Sequence, residues 1–82
     1  MHYMCPVCGF NKLIEPPYDP NGGGSYDYCD CCRFQFGVTD DDKGYTFEQW
    51  RKKWIDDGMK WSTDIPKPAG WDPVAQLKKL KL

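Results

Sequence analysis

The sequence predicts an α+β fold in which about three short antiparallel strands are followed by two helices. Two observations carry this prediction. Residues 1–38 hold all five cysteines together with short apolar segments, whereas residues 45–82 hold large apolar side chains at helical spacing. The chain of 82 residues is expected to form a single domain, residues 1–82, because two separate cores would each be too small to be stable.

Three segments of the first part are candidate strands. They cover residues 12–14, 25–28 and 34–36, and large and polar side chains alternate in the last two. Between the first two lies the segment 16–24, which combines three prolines with an Asn-Gly pair and further glycines. Prolines restrict the backbone and glycines permit positive φ, so this segment is predicted to be a loop.

The first helix is predicted to begin after Thr46 and to end at Gly58. Thr46 followed three residues later by Gln49 has the pattern of a capping box, and glycine commonly ends a helix. Apolar side chains recur between these limits with helical spacing, at Phe47, Trp50, Trp54 and Ile55. This stripe is expected to pack over one face of the strands.

The second helix is predicted to run from Pro73 to about Leu80. Asp72 can cap its N-terminus, and a proline suits the first helical position. Lys78 and Lys79 lie near the C-terminal end, where the helix dipole favours cations.

Charge is divided unevenly along the chain. The net charge is −1, but the first 42 residues hold two basic and seven acidic residues, whereas the remainder holds nine basic and five acidic ones. The basic part could cover the acidic part, or the two could form separate faces for a protein partner. An acidic, cysteine-rich part is a poor phosphate binder, which leaves weak nucleic-acid binding through the basic helices as an alternative function.

Three consecutive carboxylates, those of Asp40, Asp41 and Asp42, lack the spacing of calcium ligands and are interpreted as a solvated turn.

The cysteines occur in two clusters that repeat one spacing. Cys5 and Cys8 are separated by two residues, and so are Cys29 and Cys32. Two such turns can close a tetrahedral site, and four thiolates are a common ligand set of structural zinc. The sequence thus predicts one structural Zn²⁺ ion held by Cys5, Cys8, Cys29 and Cys32, with no open position for catalysis. Cys31 is left over, and it is interpreted as a partly buried cysteine or an alternate ligand rather than a reactive thiol.

The cysteine count also bears on the cellular compartment. An odd number of cysteines in such clusters favours metal ligation over a disulfide framework and points to a reducing compartment. The N-terminus lacks a basic segment followed by an apolar run, and no apolar stretch approaches about 18 residues. The protein is therefore expected to be cytoplasmic and to have no membrane segment.

Several motifs resemble those of the cysteine-rich CPCC family, a group of short uncharacterised bacterial proteins that are similar to zinc ribbons. The resemblance lies in the two cysteine clusters and in residues 15–19, 34–37, 50–54 and 71–73. In the family the second cluster usually reads Cys-Pro-Cys-Cys-Gly, whereas this chain has Asp30 and Arg33 in the proline and glycine places. The resemblance implies a zinc ribbon extended by two helices, and it implies no activity.

A second resemblance is to rubredoxins, which also join two Cys-Pro-x-Cys-Gly turns and often carry a Tyr-Asp-Pro segment like residues 18–20. This resemblance implies a rubredoxin-like iron electron carrier as an alternative, since four-sulfur sites accept either metal. However, the second cluster lacks both proline and glycine, and the tryptophan-rich helical part has no counterpart in rubredoxins. Zinc is therefore the expected metal.

The function expected from these features is recognition of a protein partner, with the metal as a scaffold. Enzyme activity is not expected, because the chain has no histidine beyond His2, no nucleophile beside a base and no glycine loop that opens a helix. The aromatic side chains could stack on single-stranded nucleic acid, but a chain of this size needs them in its core.

Overall fold

Two helices and three isolated antiparallel bridges organise residues 2–80, which are the residues that the computed structural model describes. Met1, Lys81 and Leu82, at the ends of the predicted domain, lie outside them. Helix α1 spans Phe47–Asp56 and helix α2 spans Pro73–Lys78. Neither of these helices is long and apolar enough to cross a membrane.

Helix α1 begins and ends where the sequence predicts. The Thr46 side chain accepts a hydrogen bond from the backbone N–H of Gln49 at 3.0 Å, and the Gln49 side chain accepts one from the backbone N–H of Thr46 at 2.9 Å. These bonds satisfy N–H groups that have no partner within the helix. At the other end, Asp57 is followed by Gly58, whose φ of 98° is incompatible with a further helical turn. Both predicted limits are confirmed.

Helix α2 is shorter than predicted. The carboxylate of Asp72 caps it by accepting hydrogen bonds from the N–H groups of the second and third helical residues, at 3.0 and 3.2 Å. The helix ends at Lys78 rather than near Leu80, since the N–H groups of Lys79 and Leu80 bond to carbonyls three residues back, at 3.1 and 3.2 Å. Such bonds make a tighter turn than an α-helix.

The first part of the chain pairs its backbone in single bridges rather than in strands. The bridges join three residue pairs, which are Tyr3 with Leu13, Tyr18 with Gly24, and Tyr28 with Gln35. Each predicted strand segment contributes one residue to these bridges, but none of them extends into a strand within residues 2–80. One reason is Tyr26, whose φ of 66° interrupts an extended segment. The three-stranded zinc ribbon stays a prediction.

The core is built around the cysteines and is shared by both parts of the chain. Its buried side chains are those of all five cysteines and of Val7, Phe10, Leu13, Phe34, Phe36 and Trp54. The ring of Phe34 meets that of Phe47 edge to face with centroids 5.5 Å apart, and it meets that of Trp50 at 5.9 Å. Such contacts add to the free energy gained by burying apolar area. Ile55, the fourth member of the predicted stripe, is exposed instead.

Candidate metal centre

Residues 5–10 form a tight turn, which we call knuckle 1. The N–H of Cys5 donates to the carbonyl of Phe10 at 2.7 Å, and the N–H of Gly9 donates to the carbonyl of Cys5 at 2.9 Å. Gly9 has a φ of 86°, and a Cβ atom at this position would lie 2.5 Å from the carbonyl oxygen of Gln76. Knuckle 1 therefore needs glycine both for its backbone conformation and for the close approach of α2.

Residues 29–34 repeat this turn as knuckle 2. The N–H of Cys29 donates to the carbonyl of Phe34 at 2.9 Å, and the N–H of Arg33 donates to the carbonyl of Cys29 at 2.8 Å. Arg33 stands where Gly9 stands in knuckle 1, and it adopts the same left-handed conformation with a φ of 67°. The absence of glycine from the second cluster thus leaves the turn intact.

The two knuckles bring four thiols together. The Sγ atoms of Cys5, Cys8, Cys29 and Cys32 all lie within 4.8 Å of one another. Two of the separations are 3.9 Å, between Cys5 and Cys32, and 3.7 Å, between Cys8 and Cys29. In a tetrahedral site with metal–sulfur bonds of about 2.3 Å, neighbouring sulfur atoms lie about 3.8 Å apart. The four cysteines are therefore positioned to hold a metal ion.

These four thiols are closed off from solvent. Cys5, Cys8 and Cys29 are 0% exposed and Cys32 is 2% exposed. Without a cation, the crowded thiols do not ionise alike. Burial raises the pKa of Cys5, but hydrogen bonds with Cys29 and Cys32 outweigh burial and hold that pKa well below its ordinary value. Hydrogen bonds with Cys29 and Cys31 raise the pKa of the Cys8 thiol, and burial raises the pKa of Cys32. A bound cation replaces the protons and compensates the thiolate charge, which is why thiolate sites release protons when they bind metal.

Cys31 lies beside this group but not in it. Its side chain is fully buried, and its Sγ atom accepts a hydrogen bond from Nε2 of Gln76 at 3.4 Å. The same amide nitrogen donates to the carbonyl of Cys8 at 3.1 Å, while the amide oxygen accepts a hydrogen bond from Nε1 of Trp71 at 2.8 Å. The structure therefore places Cys31 against α2, where it is held by a buried glutamine.

The helical part contacts the backbone of knuckle 1 through three hydrogen bonds. The guanidinium of Arg51 donates from Nε to the carbonyl of Val7 at 2.7 Å and from Nη2 to the carbonyl of Pro6 at 2.9 Å. With the bond from Gln76 to Cys8, three successive carbonyls, those of residues 6–8, accept hydrogen bonds from side chains of the two helices.

Knuckle 2 is held at the equivalent positions. The carbonyls of residues 30–32 accept hydrogen bonds from the Thr63 hydroxyl at 2.7 Å, the Ser62 backbone N–H at 2.9 Å and the Trp50 indole N–H at 2.9 Å, in that order. In protein metal sites, contacts of this kind outside the ligands orient the ligating side chains. The second part of the chain therefore fixes both thiol-bearing turns.

Sequence reasoning identified the four thiols but missed the groups that hold them. The helical pattern predicts Trp50 as an apolar contact and places Arg51 beside the stripe, yet both donate hydrogen bonds to the knuckles. Nothing in the sequence around Gln76 indicates that its side chain contacts the cysteines. Asp40, interpreted as part of a solvated turn, accepts a hydrogen bond from the Tyr18 hydroxyl and so anchors the preceding loop.

The opposite charges of the two parts do not meet in ion pairs among residues 2–80. The ion pairs in this region lie along α1, between Lys52 and Asp56 at 2.7 Å and between Lys53 and Asp57 at 3.3 Å. Exposed pairs of this kind contribute about 0–1 kcal/mol to stability. The basic part contacts the acidic part through hydrogen bonds to its carbonyls instead.

Comparison with known proteins relates this chain to two uncharacterised bacterial proteins. It is 33% identical over 81 residues to the uncharacterized protein YozI of Bacillus subtilis (strain 168), an alignment that covers 78% of this chain and 67% of YozI. It is 32% identical over 71 residues to the uncharacterized protein YoaQ of the same organism, covering 70% of this chain and 60% of YoaQ. The chain thus spans about two thirds of the length of these relatives. No family model and no solved structure matches it.

Proposed function

We propose that this chain, which belongs to the family of the Bacillus subtilis protein YozI, is a structural zinc protein that serves as a recognition module for a protein partner. The observation that carries the proposal is the set of four buried thiols within 4.8 Å of one another. A cytoplasmic location suits this role, because a reducing compartment keeps thiols available for metal.

Zinc suits the donor set of Cys5, Cys8, Cys29 and Cys32. Four thiolates complete the tetrahedral coordination of Zn²⁺, so that no position is left for a substrate. When bound, the metal supplies a cross-link between the two knuckles. Structural zinc sites have apparent binding free energies of about 10–16 kcal/mol at neutral pH, which equals or exceeds the net stability of a typical domain. The folded state of a core centred on these thiols should therefore depend on the metal.

This closed site argues against catalysis at the metal and supports our proposal of a binding role. Metal catalysis at zinc requires an open coordination position, which four thiolates do not leave. The protein then has a rigid metal-centred core whose outer surface is free to contact another molecule. The alternative of an iron electron carrier uses the same four sulfur atoms, and the colour of the purified protein distinguishes the two.

Elemental analysis of purified variants tests the metal site. We expect one zinc equivalent in the wild type and in Cys31→Ser, but loss of the metal in Cys32→Ser. The two variants form a matched pair, because both cysteines are buried in knuckle 2 and only one belongs to the thiol group. A red protein with visible absorption would select iron. Equal metal loss in both variants, or an unchanged fold of the wild type after verified removal of its metal, would refute the proposal.

A further inference from the structure

Arg33 adopts a conformation that glycine would adopt without strain. It stands at the knuckle 2 position equivalent to Gly9, with a φ of 67°. Left-handed backbone is uncommon for residues other than glycine, and its strain is often kept where the side chain has a role. Arg33 is exposed, and its guanidinium makes no hydrogen bond or ion pair within residues 2–80. No hydrogen bond or ion pair among these residues therefore accounts for an arginine here.

Beside Arg33 lies a groove with aromatic walls, which we call the Arg33 groove. Its volume is about 520 Å³, and it lies between α1 and residues 60–62. Its walls include the rings of Trp50, Trp54 and Trp61. The indole N–H groups of all three donate to backbone carbonyls. Trp50 and Trp61 are half-buried and therefore offer apolar ring surface to a ligand rather than hydrogen-bond donors, whereas Trp54 is 4% exposed and belongs to the core.

The rim of the groove is basic. Lys53 and Lys60 line it together with Arg33, and all three side chains are exposed. Arg33 also lines an adjoining hollow, in which Lys43 provides a further positive charge. Of the three rim cations, Lys53 is paired with a carboxylate, that of Asp57 at 3.3 Å. The groove therefore combines apolar surface with positive charge that the fold leaves largely uncompensated.

We propose that the Arg33 groove binds an extended acidic peptide segment of the protein partner. A carboxylate of the peptide pairs with the guanidinium of Arg33, which can form two parallel hydrogen bonds with it. A neighbouring apolar side chain of the peptide rests on Trp50 and Trp61, since buried aromatic anchors supply much of the affinity of protein interfaces. The inference rests on the proposed recognition role and names the chemistry of the partner.

Charge on this face favours a peptide over a nucleic-acid strand. A strand needs a run of cations along successive phosphates. Here the cations are interrupted by Asp57 in the groove and by Asp64 in a second hollow beside Arg33. A peptide can place its negative charge at one point and keep clear of these carboxylates.

Selection from a phage-displayed library of short random peptides tests the proposal with the zinc-loaded full chain. We expect enrichment of peptides that combine carboxylates with an aromatic or aliphatic residue. An enriched peptide, titrated while tryptophan fluorescence is recorded, should bind Arg33→Gly at least tenfold more weakly than wild type. Lys52→Met is the matched control, because it also removes one exposed cation but lies outside the groove. It should leave the affinity unchanged.

The glycine variant also reports on folding. Arg33→Gly should keep its zinc and unfold at an equal or higher urea concentration than wild type, because glycine relieves the backbone strain. Peptides that bind wild type and Arg33→Gly equally would overturn this inference and leave the recognition role standing. A selection without acidic enrichment, or an Arg33-dependent affinity for oligothymidylate that exceeds that for the peptide, would overturn it as well. Failure of the proposed zinc site would show separately, in the metal content.

Discussion

Replacing Arg51 with methionine should weaken the whole fold, although Arg51 contacts no thiol. The variant keeps a long side chain but removes the bonds to the carbonyls of Val7 and Pro6, at 2.7 and 2.9 Å. A hydrogen bond to a charged group contributes about 1.5–3 kcal/mol, and partial exposure of these bonds lowers that figure. We expect a loss of about 2–4 kcal/mol in the free energy of unfolding. At about 2 kcal/mol per molar urea, the midpoint should fall by roughly 1–2 M.

Lys52→Met is the matched control for this experiment. It removes one positive charge from the neighbouring position of α1, where the side chain is 77% exposed and pairs with Asp56. Its cost should stay within about 1 kcal/mol. Both variants are unfolded in urea with the metal bound, and release of the metal to a competing chelator is timed. The reasoning fails if Arg51→Met matches Lys52→Met in midpoint and in release rate, because knuckle 1 would then not depend on α1.

Two further substitutions test close contacts in the fold. Gly9→Ala should lower the free energy of unfolding in urea by about 3 kcal/mol or more, because the added Cβ would lie 2.5 Å from the Gln76 carbonyl oxygen. Gly44 has a similar φ of 76°, but a Cβ added there would have no atom within 4 Å, so Gly44→Ala should cost only about 1 kcal/mol. Equal losses in the two variants would contradict the steric explanation. Burial and the hydrogen bond to Asp40 raise the pKa of Tyr18 above its ordinary value of about 10. Tyr18→Phe should therefore lower stability by about 1–2 kcal/mol up to about pH 9, a difference that is lost as the pH rises through the raised pKa. Ultraviolet titration should show that the last tyrosine to ionise is missing from this variant, and an unchanged titration curve would speak against the assignment.

The parts of this structure that could be predicted from sequence are those set by local interactions. The capping box at Thr46 and the cap at Asp72 each join residues three or fewer positions apart. Each cysteine pair likewise lies within one turn, so its spacing alone indicates that both thiols face one site. The approach of the two turns was predicted from one further assumption, that a single metal ion takes two thiol ligands from each of them.

The parts that sequence did not reveal depend on distant segments. Gln76 contacts Cys8 across 68 positions, and Arg51 contacts Pro6 across 45. No periodicity marks such pairs, because each is set by how the helices pack on the knuckles. Pairing at the third predicted strand segment, residues 34–36, is limited to a single bridge for a related reason. The carbonyl of Phe34 accepts the hydrogen bond from Cys29 that closes knuckle 2, so strand propensity yields there to tertiary context.

One cation of the basic part interacts with the thiol group through the backbone. A zinc ion with four thiolates, as proposed, carries a net charge of −2. One peptide group links this centre to Arg51, because the carbonyl of Pro6 accepts from the guanidinium while the N–H of Val7, in the same peptide, donates to Sγ of Cys5 at 3.4 Å. A peptide polarised by a cation on its oxygen is a stronger donor at its nitrogen. Arg51 therefore strengthens the hydrogen bond to Cys5 through the backbone, without an ion pair between the two parts.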